Sequence, residues 1–437
     1  MKILNMRKQL FWIQDFIKGS PIANHYKELS DIINGYPSQN SQSLINKNLQ
    51  KIIVHALRTT PYYKDLGNIS CIDNFPVIDK NIIRNNYQAF LAENYKNKQF
   101  VKMTTSGSTG TPFTVIQDFG KKSRHYADTL FFSRLAGYDL GHKLIYLKIW
   151  SESNKKTKFE AWKQNFVPID VLRLTDEVVS EIVMNIKRGR NDMGILGYAS
   201  ALDEIVQYLK KTNSDTIHSK IKSIISTSES LNSFTREAMS RYFQIPTLSR
   251  YSNLENGILA QQCFNSNEFH VNIASYFIEI LDLEKDVPAN PGALGRIVVT
   301  DYFNYAMPMI RYDTGDLGEF AEVSECGLTT PVLKRIEGRK MDQIFDTSGN
   351  RISSYLVYKN MWKYSELNQY QLIQEGEKEY KIKLNLNGSF RRETELIAEF
   401  MQYLGAEAII KVEYVDEIPL LASGKRKKIV NNYIKKW

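Results

Sequence analysis

Between about residues 100 and 300, short β-prone runs alternate with stretches of helical period, and this alternation limits the possible folds more than any other feature of the chain. VKMTT (101–105), LIYLKIW (144–150), GILGYAS (194–200), IKSIIST (221–227) and GRIVVTD (295–301) are separated in part by amphipathic segments such as DEVVSEIVMNIKRG (176–189). Strands that alternate with helices favour an α/β architecture with a substantially parallel sheet. The first hundred residues read mainly helical, punctuated by turn signals at TPYY (60–63) and FPVIDK (75–80).

After about residue 340 the texture changes. YQLIQEGEKEYKIKLNL (370–386) reads as two strands around a polar turn, followed by a helix RRETELIAEFMQYLG (391–405) and a strand IIKVEYVD (409–416). This is the pattern of a small α+β domain. At 437 residues the chain exceeds the size at which a single core stops growing. A division into a large domain (1–339) and a small C-terminal domain (340–437) is therefore expected, with a hinge within EGRKMDQ (337–343).

Apolar residues at 43%, together with 25 Tyr and 21 Phe, exclude a disordered chain. Three widely spaced cysteines offer no disulfide framework, and this points to a reducing compartment. No apolar run approaches the roughly 20 residues that cross a bilayer, and the opening MKILNMRKQLFWIQDFIKG is too interrupted by polar residues for a signal peptide. A cytoplasmic location follows. The apolar stripe of that opening is expected to pack on its own domain rather than on a membrane surface. The net charge of +9 suits a protein that handles anions. Its densest clusters, GKRKK (424–428) and Lys435-Lys436, carry no nucleic-acid motif and read as solvated surface, Lys425 excepted.

Thr104, Thr105, Ser106, Gly107, Ser108, Thr109 and Gly110 follow a predicted strand, and their glycines and hydroxyls can wrap phosphate oxygens. The Gly-Lys-Ser/Thr ending of the common nucleotide-triphosphatase loop is missing. Further motifs follow in order: STSESL (226–231), RYSNLE (250–255), RYDTGD (311–316), Gly338-Arg339, Gly349-Asn350-Arg351 and Ser423-Gly424-Lys425. Singly, each has an ordinary reading as a turn, a surface charge or a core aromatic.

Together, in this order and spacing, the motifs resemble the adenylate-forming superfamily of acyl-CoA synthetases. The nearest likeness is to the phenylacetate-CoA ligase group, which includes relatives associated with capsular polysaccharide synthesis. TPYY, FPVIDK, GYASAL and GRIVVTDYFNYAMPMIRYDTGDLG extend this likeness over nearly the whole chain. It implies ATP-dependent activation of a carboxylic acid to an acyl-adenylate, followed by transfer to a thiol, coenzyme A being the usual acceptor. Transfer to an amine or hydroxyl of a sugar is the alternative that the polysaccharide-associated relatives suggest. A nucleotide-binding pseudoenzyme is the non-catalytic alternative, against which the presence of Glu255, Asp316 and Lys425 argues.

The resemblance also assigns roles. Thr105 to Thr109 would hold the β- and γ-phosphates. Glu255 would supply the hard oxygen that magnesium prefers. Tyr251 would stack on adenine, with Ser228, Glu229 and Ser252 beside the nucleotide. Asp316 and Arg339 would reach the ribose, and Arg351 the phosphate. Lys425 would bridge the substrate carboxylate and ATP during adenylation. Tyr198 and the loop 226–230 would wall the acyl pocket. The sequence departs from the pattern at Met341, where an acidic hinge residue is common. It departs again at Ser324, where zinc-binding relatives carry a cysteine. Cys263, His270 and Cys326 remain, one short of the four ligands structural zinc takes.

Overall fold

The structure is a computed structural model. It describes residues 2–67, 69, 71–105, 113–150, 156–264, 266–321, 327–337, 344–352, 361, 364, 366–386, 388–419 and 428–433. The chain divides into two compact units. The larger comprises Met1–Leu231, Thr235–Thr314 and Gly318–Ile336, and the smaller Asn232–Phe234, Gly315–Leu317 and Glu337–Trp437.

The first hundred residues form helices, led by Lys2–Ile17, Pro21–Gly35 and Gln39–Thr59. Pro21–Gly35 packs on helix Phe119–Leu135, and Leu29, Ile32 and Ile33 meet Phe131 and Phe132 in one core. Burying each such side chain contributes about 1.5–3 kcal/mol. Helix Lys2–Ile17 departs from expectation. It seats Trp12 edge-on against Tyr26 and buries Asp15, but Met6, Leu10, Ile13, Phe16 and Ile17 face solvent. The apolar stripe expected to pack on its own domain does not do so.

The strands of the larger unit are β1 (Val101–Thr105), β2 (Phe113–Gln117), β3 (Lys143–Lys148), β4 (Phe166–Asp170), β5 (Met193–Tyr198), β6 (Ile221–Thr227), β7 (Thr247–Asn253), β8 (Gly257–Gln262), β9 (Phe269–Val271), β10 (Tyr276–Leu281), β11 (Gly295–Asp301), β12 (Tyr312–Phe320) and β13 (Val332–Glu337). Eleven of them join in the order β10-β11-β12-β13-β9-β8-β7-β6-β5-β3-β4. From β4 to β7 the pairing is parallel, and helices Asp176–Arg188, Ala199–Lys211 and Ser233–Phe243 cross between successive strands. Such crossovers are long enough to return a strand parallel to the last. After β7 the connection shortens to residues 254–256, which permits only an antiparallel return to β8, and β8–β9 and β10–β11 are antiparallel as well. The expected parallel sheet is thus the first half of a mixed one. β1, read as part of the alternation, pairs among the described residues with β2 alone, in a separate antiparallel ribbon.

The smaller unit continues with β14 (Ile344–Phe345), β15 (Arg351–Ile352), β16 (Leu367–Gln374), β17 (Glu379–Leu386), β18 (Ile409–Tyr414) and β19 (Ile429–Asn431). β16 and β17 form the expected hairpin. Helix Glu393–Leu404 then crosses over so that β18 pairs parallel to β17, giving the order β18-β17-β16-β19. Leu396, Phe400 and Leu404 recur every fourth residue and bury against Leu372, Tyr380 and Ile382.

Candidate active site

Open parallel sheets bind ligands beyond the carboxyl ends of their strands, because crossover loops and free helix N-termini gather there. Register places the carboxyl ends of β5, β6 and β7 side by side, with Tyr198 opposite Thr227, and Ser226 opposite both Gly197 and Ser249. The loop 226–230 and the segment 251–255 leave from this edge. Ser228 holds a left-handed conformation (φ 70°) that turns the chain out of β6. The Glu229 carboxylate accepts from the Ser200 amide at 2.8 Å, in the first turn of helix Ala199–Lys211. Thr227 and Ser252 share a hydroxyl hydrogen bond of 3.3 Å. Burial, with Tyr146 and Glu229 nearby, pushes the Tyr198 phenol up to about 12. The Tyr251 hydroxyl donates to Thr314 Oγ1 at 3.4 Å.

Glu255 is the most constrained of these residues. It lies in the turn between β7 and β8, its side chain almost fully buried, and Oε1 accepts from the Tyr312 hydroxyl at 2.8 Å and pairs with Lys80 Nζ at 2.8 Å. Burial alone would raise its pKa. The Lys80 charge and the hydrogen bonds from Lys80 and Tyr312 outweigh that and hold it below the ordinary carboxylate value. Glu255 is therefore ionised at neutral pH.

Lys80 reaches Glu255 because two distant motifs are stitched together. Ile78 of FPVIDK forms a parallel bridge with Tyr312 of RYDTGD: its amide donates to the Arg311 carbonyl at 3.0 Å, and its carbonyl accepts from the Asp313 amide at 2.8 Å. Arg311 locks the join. Its guanidinium pairs with Glu279 at 3.0 Å and donates to the carbonyls of Asp73 and Phe75. Asp79 then caps helix Lys80–Asn85, fixing Lys80 at its first position, where Nζ lies 5.7 Å from the centre of the Phe113 ring.

The turn is also held from beneath. Gln117 Nε2 donates to the Glu255 carbonyl at 2.9 Å, and the Tyr276 hydroxyl donates to the Asn256 carbonyl at 2.6 Å. Tyr276 in turn accepts from Lys121 Nζ at 3.0 Å, and Lys121 pairs with Asp301 at 2.6 Å, both wholly buried. Sequence reasoning singled out none of Lys80, Tyr312, Gln117, Tyr276 or Lys121 for a role at the site. FPVIDK was visible as a turn and as part of the family likeness, with no role for its lysine.

Other candidates fall differently. Thr104 is exposed and shares a hydrogen bond of 3.0 Å with Thr114 across β1 and β2. Thr105 and Arg351 are described only as backbone of β1 and β15, and Asp316 is half-buried on β12. Ser106, Gly107, Ser108, Thr109, Gly110, Arg339, Lys425 and Cys326 lie outside the described residues, as do residues 338–343 of the expected hinge segment and Ser324. Cys263 is buried and disulfide-bonded, a departure from the expectation that the cysteines form no disulfide and sit in a reducing compartment. His270 is buried, its Nδ1 shares a hydrogen bond of 3.0 Å with Thr330, and burial lowers its pKa to about 4. Among the described residues no cluster of His, Cys, Asp and Glu is arranged to hold a metal ion.

Magnesium would fit at Glu255, an ionised carboxylate, since this cation takes one or two carboxylates plus phosphate and water oxygens. Both polar atoms of the fully buried Asn256 side chain lack a partner among the described residues, so the site retains an unused amide that bound water would satisfy.

Comparison with solved structures decides the fold. The chain superposes on 2-hydroxyisobutyryl-CoA ligase in complex with 2-HIB-AMP with a TM-score of 0.70, at 15% identity, over 91% of this chain and 90% of that one. The chain has the fold of the adenylate-forming ligases. It is similar to ATP-bound MatB from Rhodopseudomonas palustris (TM-score 0.54, 16% identity, 75% of this chain and 66% of that one). It is also similar to the amide bond synthetase McbA from Marinactinospora thermotolerans (TM-score 0.55, 15% identity, 76% and 68%). Residues 344–432 match the model of the CapK C-terminal domain. A comparison with curated protein sequences gave no match. No helix among the described residues is long and apolar enough to cross a membrane.

Proposed function

We propose that this protein activates a carboxylic acid with ATP, forming an acyl-adenylate and pyrophosphate, and passes the acyl group to coenzyme A. The observation that carries this reading is an ionised Glu255, held by Lys80 and Tyr312, at the edge where the loops 226–230 and 251–255 leave the parallel strands. A carboxylate must approach the α-phosphate of a nucleotide that already bears several negative charges, so cations and aligned donors have to offset the repulsion. Glu255 would hold magnesium, which would neutralise phosphate charge. Thr105 to Thr109 would enclose the β- and γ-phosphates. Tyr251 would stack on adenine beside Ser228, Glu229 and Ser252, and Asp316 and Arg339 would engage the ribose hydroxyls. Lys425 would lie between the acid and the α-phosphate, with Arg351 near the phosphates. Tyr198 and the loop 226–230 would bound the acyl pocket. The reaction belongs in the cytoplasm, where ATP and coenzyme A are supplied.

ATP–pyrophosphate exchange over a panel of aryl, fatty, hydroxy and amino acids tests the first step. Exchange with none of them ends the reading. With a competent acid, Lys425→Ala should lower exchange by about a hundredfold or more, because a charge placed for the transition state is removed.

A second reading shares that first step and sends the acyl group to an amine or hydroxyl, as in surface-polysaccharide synthesis. The match of residues 344–432 to the CapK C-terminal domain and the likeness to an amide bond synthetase favour it. AMP release under multiple turnover separates the two. Acceleration by coenzyme A supports the ligase, and acceleration only by an amine or a nucleotide sugar supports the transferase.

A further inference from the structure

The larger unit carries a surface that the proposed chemistry does not use. Along helix Lys2–Ile17, residues Met6, Leu10, Ile13 and Ile17 recur at helical spacing on one face, with Phe16 at its margin, and this face is turned to solvent. Phe16 and Ile17 are 74% and 77% exposed. The opposite face is the anchored one: Asp15 accepts from the amides of Ile22 and Ala23, and Lys8 pairs with Asp139 at 2.6 Å. The helix is thus fixed with its apolar side outward.

A second exposed apolar pair extends the surface. Helix Lys158–Lys163 presents Phe159 and Trp162, 69% and 65% exposed and stacked with ring centres 6.1 Å apart. Arg7 bridges the two helices, donating to the Trp162 carbonyl at 3.0 Å, its guanidinium 5.8 Å from the Trp162 ring centre. Large apolar side chains exposed in groups such as these mark interaction sites.

Charge selects the partner. Residues 6–18 and 156–163 contain six cations (Arg7, Lys8, Lys18, Lys156, Lys158, Lys163) against two acids, Asp15 and Glu160, and with Lys8 already paired to Asp139 five cations remain. Asp15 is buried, and Glu160 is taken up by the capping box on Thr157. An amphipathic helix with aromatic neighbours and an unbalanced basic margin has the composition that beds into the headgroup layer of an anionic bilayer. A second copy of the chain fits less well, since a two-fold contact through this patch would bring the same cations face to face.

We propose that this surface, formed by helices Lys2–Ile17 and Lys158–Lys163, binds reversibly to anionic lipid bilayers and makes the protein a peripheral membrane protein. The reading stands apart from the adenylation chemistry. Flotation of the full chain with vesicles of two parts phosphatidylcholine to one part phosphatidylglycerol, and with phosphatidylcholine alone, tests it. Binding should require phosphatidylglycerol and weaken as salt rises. It should fall by about tenfold in Leu10→Gln/Ile13→Gln, and again in Phe159→Ser, since each change removes inserted apolar surface from an exposed position. Both variants should keep the wild-type melting curve. Equal flotation with the two lipid mixtures, no flotation with either, or variants that float like the wild type would overturn the proposal. So would sedimentation showing a dimer that these same substitutions dissociate.

Discussion

Glu255 and Lys80 form the pair on which the candidate site depends. Because Lys80 and Tyr312 hold the carboxylate below its ordinary pKa against the opposing effect of burial, removing the lysine should let burial prevail. In Lys80→Met the pKa of Glu255 should rise, so the acid limb of the pyrophosphate-exchange profile should move to higher pH while the alkaline limb stays in place. An unshifted limb would mean that Lys80 does not tune Glu255. Glu255→Gln should instead raise the magnesium concentration needed for half-maximal exchange, read by titration at fixed ATP. Glu255 was legible in the sequence because RYSNLE is a local pattern whose position in the motif order gave it a role. Lys80 was not, because its role comes from the bridge between Ile78 and Tyr312, and no local periodicity records a contact between segments so far apart. The sequence likewise could not show that Cys263 is disulfide-bonded, since pairing is set by distance in the fold.

The turn joining β7 to β8 sets where Glu255 points, and its tolerances are narrow. Gly257 takes φ 122°, and a Cβ there would lie 2.7 Å from His125 Nδ1 and 2.9 Å from the Tyr276 hydroxyl. Gly257→Ala should therefore cost about 1–3 kcal/mol, from unfavourable backbone conformation and overpacking together, measurable as a lowered denaturant midpoint. Tyr276→Phe is the gentler probe. It leaves the buried Asn256 carbonyl without its donor, at a cost of about 1–3 kcal/mol, and it should also weaken exchange at limiting magnesium by loosening the Glu255 turn. Loss of stability with unchanged magnesium dependence would confine Tyr276 to a structural role. Secondary structure was readable here wherever period and length agreed, as in β5, β6 and helix Glu393–Leu404. β1 was misplaced because a five-residue β-prone run does not specify its partner, and a short connection to β2 decided it. The stripe on helix Lys2–Ile17 had the right period but the wrong expected partner, since amphipathicity shows that a face is apolar and not what covers it.

Across the whole molecule, the histidines make stability depend on pH in a definite direction. Burial lowers His25 and His270 to about 4 and His125 to about 3, with the cations Arg124 near His25 and Lys121 near His125 adding to the effect. His55 and His142 are also lowered, chiefly by burial. In the unfolded chain these imidazoles protonate near 6.5, whereas in the fold they remain neutral to well below that. Between those limits the unfolded state binds more protons, so stability rises with pH, and acidification from about 6.5 toward 4 draws the chain toward unfolding. The buried carboxyls of Asp128 and Glu279 work in the opposite sense, since burial raises them and the fold then binds the extra proton, but they are fewer. The melting temperature should accordingly be level above about pH 7 and fall steadily from pH 6.5 to pH 4. His125→Asn, at the most strongly shifted of these positions, should flatten the fall even if it lowers the plateau, because it removes one proton-binding difference. A fall of unchanged steepness in that variant, or a profile flat from pH 7 to 5, would show that these histidines are not held neutral by the fold.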